Sequence, residues 1–262
     1  MIRAKKSLGQ NFLIDQNILN EITNVTKIHD QTVIEIGPGT GNLTSFILKK
    51  NPKKLFVIEK DERLVSVLNE KFGNKITIIN EDILKFDEKN LTKKKITVFG
   101  NLPYNISTEI LCKWIVNLDK DYFWFNSLVL MFQKEVADRI ISASNTPHYG
   151  RLSILAKWKL EIKKIIDIKP DSFSPKPKVD SSLLFFQPKK NYLNFENSKN
   201  LEKITRIFFS HRRKMIRKPY NLIFDNNQDI IKKLNLNLDS RPQNLDFETY
   251  YRLTREFEML KS

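Results

Sequence analysis

The sequence predicts an α/β fold, with a sheet domain followed by a small all-helical C-terminal domain. Three observations carry this. Short apolar runs at residues 32–36, 55–58, 76–79 and 96–100 read as strands, and those at 32–36, 55–58 and 96–100 each precede a stretch with apolar residues at helical spacing. The first of these runs enters a glycine-rich turn, Gly37-Pro38-Gly39-Thr40-Gly41. After Pro188 the character changes: residues 189–200 are polar and linker-like, and from Leu201 the chain reads as helical and has no glycine. The domain boundary is therefore expected at 188/189, giving a sheet domain over 1–188 and a helical domain over 189–262.

Composition narrows the class. The 262 residues are 40% hydrophobic, enough to bury a core, and no apolar run approaches the roughly 18–20 residues of a membrane span. The basic start, Met1 to Lys6, has no apolar signal core after it. The chain is thus expected in the cytoplasm, away from membranes. A single cysteine, Cys112, excludes an internal disulfide framework. His29, His148 and His211 are scattered and match no zinc spacing, so no metal is expected. The net charge of +15 points to a polyanionic partner, nucleic acid ahead of an anionic membrane surface. A Lys-, Asn- and Ile-rich composition, as base composition produces, is the plainer account of the same charge.

The elements follow in order. Gly9-Gln10-Asn11-Phe12-Leu13, after Lys5-Lys6-Ser7-Leu8, reads on its own as a loop whose apolar residues dock on the core. Asp15 is a helix N-cap, with Ile18, Leu19, Ile22 and Val25 on one face. The strand at 32–36 leads through the glycine turn into a helix with Leu43, Phe46 and Ile47, stopped near Pro52. The strand at 55–58 ends at Glu59. Asp61 then caps a helix with Leu64, Val65, Leu68 and Phe72, which stops at Gly73. The strand at 76–79 runs to Glu81-Asp82, and the strand at 96–100 delivers Asn101-Leu102-Pro103-Tyr104 ahead of a helix from Ser107 to Val116. Beyond lie a strand at 128–132, a helix through Val136, Ile140 and Ile141, a helix opening at 149–153, an extended stretch at 164–168, and a proline-stiffened loop at 172–181 entering a strand at 183–186.

The site residues gather at strand ends. The turn after the first strand has Asn42 where a dinucleotide fingerprint needs glycine, and no P-loop lysine follows, so a mononucleoside cofactor without phosphates fits it best. Glu59, just past the second strand, is placed for ribose hydroxyls, and Asp82 for an adenine amino group. Solvated loop carboxylates are the plainer reading of both. In Asn101-Leu102-Pro103-Tyr104 the Asn101 oxygen can accept from an amino group, and Pro103 biases Leu102 to extended backbone, turning its carbonyl to the site. Tyr104 adds a flat face. Together they suit a planar amino-bearing ring such as adenine, although a strand end with a proline turn explains them as well. Phe173 reads either as a second exposed stacking face or as a core ring under the loop. From Lys203 to Lys218 seven basic residues and no acid occur. Arg206, Arg213 and Arg217, spaced by seven and four, are expected on one helix face as a phosphate-contacting surface.

Six ordered stretches then match a known family: Gly9–Leu13, Glu35–Gly41, Asn101–Tyr104, Phe173–Ser181, His211–Lys214 and Arg241–Leu245. Across nearly its whole length the chain resembles the ribosomal RNA adenine N6,N6-dimethyltransferases, and most of all their bacterial small-subunit branch. The resemblance implies a Rossmann-like seven-strand methyltransferase sheet, S-adenosylmethionine as cofactor, and a helical C-terminal RNA-binding domain. It implies dimethylation of N6 on two adjacent adenines near the 3′ end of 16S rRNA, in the immature 30S subunit, by a monomer. By position, Asn11, Leu13, Gly37, Glu59, Asp82 and Asn101 would hold the cofactor, while Asn101, Leu102, Pro103, Tyr104 and Phe173 would present and clamp the target base. Arg206, Arg212, Arg213, Lys214 and Arg217 would meet RNA. One departure stands out: the family usually continues its basic run into Arg-Asn, and here Arg217 is followed by Lys218-Pro219. Three rivals remain at this point. They are a resistance-type methyltransferase acting on large-subunit RNA, a DNA adenine methyltransferase, and a non-catalytic ribosome assembly factor on the same scaffold. Arg241–Leu245, Leu102 between Asn101 and Pro103, and the intact glycine turn argue against them in turn.

Overall fold

A computed structural model describes residues 4–5, 9–91, 94–118 and 123–260. The expected Lys5–Leu13 stretch is described only in part, because residues 6–8 lie outside the described residues, as do residues 1–3.

Nine strands and ten α-helices are described. A two-residue strand β1 (Phe12–Leu13) precedes α1 (Gln16–Asn24), whose first amides bond to the Asp15 carboxylate. The loop expected over 10–13 is thus in part a strand: β1 pairs antiparallel with β8 (Phe173–Ser174), Phe12 opposite Ser174 and Leu13 opposite Phe173. A partner 160 residues away leaves no local pattern to read.

Next come β2 (Thr32–Ile36), α2 (Asn42–Lys49), β3 (Lys54–Ile58), α3 (Glu62–Phe72), β4 (Thr77–Ile79), β5 (Ile96–Asn101) and α4 (Ser107–Val116). Then follow β6 (Phe125–Gln133), α5 (Lys134–Ile141), α6 (Arg151–Lys159), β7 (Leu160–Ile168), β8 and β9 (Ser181–Pro188). The seven-stranded sheet has the order β4-β3-β2-β5-β6-β9-β7. Strands β4 to β6 in that order are parallel, and β9 pairs antiparallel with β6. This is the expected Rossmann-like α/β architecture. β6 is longer than its sequence pattern suggests, because it lies between two neighbours and buries both faces, which erases alternation; β7, at the sheet edge, starts at Leu160 rather than 164.

Between β2 and β5 the strand order reverses. Open α/β sheets bind ligands at such a point, outside the carboxyl ends of the strands. Gly41 allows the turn into α2: its φ is +77°, and an added Cβ would collide with the Phe72 ring. Gly100 has a packing reason, since a Cβ there would lie 2.8 Å from the Leu102 side chain, which folds back beneath it.

The chain divides into two compact units. One comprises Met1–Lys113, Tyr122–Ala137 and Glu161–Pro188, and the other Trp114–Asp121, Asp138–Leu160 and Lys189–Ser262. One of the breaks between them lies at 188/189. The helical unit also takes in 138–160, so α6 (Arg151–Lys159), read from sequence as part of the sheet domain, belongs to it.

Within that unit, α7 (Lys199–Phe208) buries Leu201, Ile204 and Phe208. α8 (Arg217–Phe224), α9 (Gln228–Leu234) and α10 (Phe247–Met259) follow. Arg206, Arg213 and Arg217 do not share a helix face. After a single 3₁₀ turn at Phe209–His211 the chain leaves the helix, and the Ile216 and Arg217 amides bond to the carbonyls of Ser240 and Leu238. Periodicity read across 206–217 fails because that pairing interrupts the helix. Pro219 lies in the first turn of α8, where a missing N–H costs little.

Candidate active site

A cavity of about 270 Å³ opens at the carboxyl ends of β2, β3 and β5, entirely within the sheet unit. Its lining includes Asn11, Leu13, Gly37, Glu59, Asp82, Asn101, Leu102, Pro103 and Tyr104, so the fold brings together all but one of the expected cofactor and base residues.

Phe173 is the exception and corrects an expectation. It is 1% exposed and packs in the core with Leu13, Ile168 and Leu183. Its strand pairs with β1, which seats the ring on the core, where burying it contributes roughly 1.5–3 kcal/mol. It offers no free stacking face, and the core reading holds.

Each remaining residue has a defined setting. Asn101 ends β5, and its side-chain amide donates from Nδ2 to the Asn11 carbonyl at 2.8 Å. Only the amide nitrogen can donate to a carbonyl, so this bond leaves Oδ1 as the group able to accept from a ligand. The Leu102 side chain is buried. The Tyr104 hydroxyl lies 2.5 Å from Ser181 Oγ, and partial burial pushes its pKa up, an effect the Ser181 bond opposes.

The glycine turn is tied to the second strand. The Glu59 carboxylate accepts from the Gly39 amide at 3.2 Å and from the Asp61 amide at 2.9 Å. Burial raises its pKa, and these amide bonds pull it back. At Gly37 φ is +63° and nothing lies nearer than 4.0 Å to an added Cβ, so any side chain there would occupy open space beside Asn101 and Pro103. Asp82 binds Lys60 at 2.7 Å and the Leu84 amide at 3.0 Å, and the Lys60 bond holds its carboxyl below the ordinary range.

Residues 9–13 cross the cavity as a strap with anchors that local reading missed. Gln10 Nε2 donates to Asp61 at 3.2 Å, and Asn42 Nδ2 donates to the Leu13 carbonyl at 2.8 Å. The Arg63 guanidinium beside Asp61 keeps that carboxyl strongly ionised. Asn42 was visible as a departure from glycine, but its role depends on the strap and could not be read from the turn. Glu35 was visible only as part of the motif. It is 1% exposed, accepts a 2.6 Å bond from the Thr44 hydroxyl, and burial raises its carboxyl to about 8.

The basic residues of the helical unit divide in two. Arg212 is held inside the unit by the Gln243 side chain and by the carbonyls of Thr146 and Pro147. Arg217 pairs with Asp239 at 2.8 Å. Arg206, Arg213 and Lys214 are exposed. The Arg241–Leu245 stretch is architectural: the Gln243 carbonyl accepts from the Asn145 amide, Asn244 bonds Asn145 and the Arg241 amide, and the Tyr250 hydroxyl bonds the Pro242 carbonyl. Among the described residues no helix is long and apolar enough to cross a membrane, and no cluster of His, Cys, Asp and Glu could hold a metal ion.

The chain is 60% identical to ribosomal RNA small subunit methyltransferase A of Pelagibacter ubique, with 99% of each chain covered. It is 42% identical to the protein of that name from Ehrlichia ruminantium, with 95% of each covered. Among solved structures, a dimethyladenosine transferase from Plasmodium falciparum matches with a TM-score of 0.81 at 28% identity, covering 95% of this chain and 98% of that one. The 23S rRNA methyltransferase ErmE shares the fold, with a TM-score of 0.69 at 21% identity over 94% and 99% of the two chains. The family model for ribosomal RNA adenine dimethylase matches residues 1–259, and the chain belongs to that family.

Proposed function

We propose that the protein transfers methyl groups from S-adenosylmethionine to N6 of two adjacent adenines near the 3′ end of 16S rRNA, giving N6,N6-dimethyladenosine. It works as a cytoplasmic monomer on the immature 30S subunit, without a metal. The observation that carries the chemistry is Asn101, whose amide is turned by the Asn11 carbonyl so that its oxygen is left to accept, beside the Tyr104 ring at a strand-order reversal.

The cavity suits the cofactor. Open space at Gly37 admits a ligand against backbone, and the carboxylates of Glu59 and Asp82 suit hydroxyl and amino groups rather than phosphates. When bound, S-adenosylmethionine supplies an electrophilic methyl on its sulfonium. Asn11, Leu13 and Gly37 hold the methionine end, Glu59 the ribose and Asp82 the adenine amine.

The chain's own residues do the rest. Adenine N6 is a poor nucleophile, because its lone pair is delocalised into the ring. Hydrogen bonds from N6 to Asn101 Oδ1 and the Leu102 carbonyl favour a more tetrahedral nitrogen with the pair available. Tyr104 stacks on the flipped base, a contact worth roughly 1–3 kcal/mol. Positioning is the main contribution, up to about 7–11 kcal/mol in favourable cases. In the helical unit, the exposed Arg206, Arg213 and Lys214 meet RNA phosphates.

The test is methylation of unmodified small subunits with labelled cofactor, alongside Asn101→Ala. Dimethyladenosine near the 3′ end, lost in the variant, is expected. Product on large-subunit RNA alone, or RNA binding without any methylation, overturns the reading.

A further inference from the structure

Ser181 opens β9 opposite Gln133 of β6 and is fully buried. Its hydroxyl is 2.5 Å from that of Tyr104, 77 residues earlier, and the base-binding chemistry above assigns it no part. The backbone around it is fixed independently: the Asp180 carbonyl accepts from the Lys134 amide at 2.9 Å, and Ser182 bonds Asp167 at 2.6 Å. Tyr104 itself is only half-buried, so packing alone leaves its ring room to tilt. A rigid strand therefore grips the far end of a ring whose near end follows Pro103.

We propose that Ser181 is a positioning residue that fixes the tilt of the Tyr104 ring, and through it the clearance for the second methyl transfer. This rests on the adenine-dimethylation reading. A monomethylated amine is bulkier than the one it replaces and must return with its lone pair towards the cofactor side. A ring free to rock tolerates the first base pose and spoils the second, which has less room.

The experiment measures mono- and dimethyladenosine over time for the wild type, Ser181→Ala, Tyr104→Phe, the double variant and Ser181→Thr, together with cofactor affinity by calorimetry. Loss of one neutral hydrogen bond predicts that the second transfer slows roughly two- to tenfold in each single variant. The first transfer and cofactor affinity move less. The double variant is no worse than either single variant, because both remove the same bond, and Ser181→Thr restores the wild-type ratio. An unchanged product ratio in Ser181→Ala overturns the inference, as do additive losses in the double variant or an equal fall in both transfers with cofactor affinity. A wild type that makes no dimethyladenosine overturns the functional reading and this inference with it.

Discussion

Replacing Asn101 by Asp separates two jobs that one side chain performs. The amide nitrogen of Asn101 reaches the Asn11 carbonyl at 2.8 Å. Aspartate keeps an oxygen for the target amine but sets a second oxygen against that carbonyl. Breaking this bond leaves the half-buried carbonyl without a donor, which costs about 1–3 kcal/mol. Asn11 and Leu13 line the cavity, so the loss should fall on cofactor affinity, which should drop roughly 5- to 150-fold. Isothermal calorimetry with S-adenosylmethionine and no RNA measures this directly. The sign of the pH dependence is also fixed. An oxygen facing a carbonyl favours the protonated acid, which can donate, so the deficit should shrink as pH falls. If the variant binds cofactor within about threefold of wild type, Asn101 does not anchor the strap and the argument from the amide's orientation fails.

Four further outcomes follow from the same geometry. Gly41→Ala sets a Cβ at a φ of +77° against the Phe72 ring, and should lower thermal stability by more than the roughly 1 kcal/mol of left-handed strain alone, read as a lower Tm. Glu35, with its pKa raised from 4.5 to about 8, keeps a proton in the folded state that the unfolded chain releases, so its contribution is full below about pH 4.5 and is lost as pH rises through 8. Glu35→Gln should therefore gain stability over wild type as pH rises from 5.5 to 8.5, by an amount of order a few kcal/mol at the upper end, read as a widening difference in Tm. Arg213→Ala with Lys214→Ala should reduce the slope of log affinity for RNA against log salt by about 0.7 for each phosphate that is no longer neutralised. Arg212→Ala should instead lower the stability of the helical unit, because that guanidinium holds Thr146, Pro147 and Gln243.

The parts of this molecule that could be read from sequence are those set by neighbours along the chain. Asp15 and Asp61 cap α1 and α3 as expected, and the strands leading to Gly37, Glu59 and Asn101 end where their apolar runs end. A site built on strand ends inherits that legibility. What could not be read depends on distant pairing. Phe173 is a core ring because β8 pairs with Leu13, and the basic run breaks after Phe208 because Ile216 and Arg217 turn to bond Ser240 and Leu238. Ser181 and Asn42 carry polar groups whose partners lie 77 and 29 residues away. The six family motifs were visible as motifs, but Arg241–Leu245 acts through packing, and only its contacts distinguish that from an RNA contact.

The strap's attachments imply how the cavity exchanges its ligand. Residues 9–13 are held by three side-chain amides, from Gln10 to Asp61, Asn42 to Leu13 and Asn101 to Asn11, and by a two-residue ladder to β8. At about 1 kcal/mol for each of the three amide bonds, plus roughly 1.5–3 kcal/mol for exposing buried Leu13, release costs about 5 kcal/mol, at the low end of the roughly 5–15 kcal/mol of global unfolding. The strap should then open while β2 and β5, buried at the sheet centre, stay intact. Amide hydrogen exchange tests this. Amides of residues 10–13 should exchange well before those of 33–36 and 97–100, and saturating S-adenosylmethionine should slow the first group while leaving the second unchanged. Equal protection in both groups would mean that the strap opens only with the sheet, and ligand exchange would then need another route.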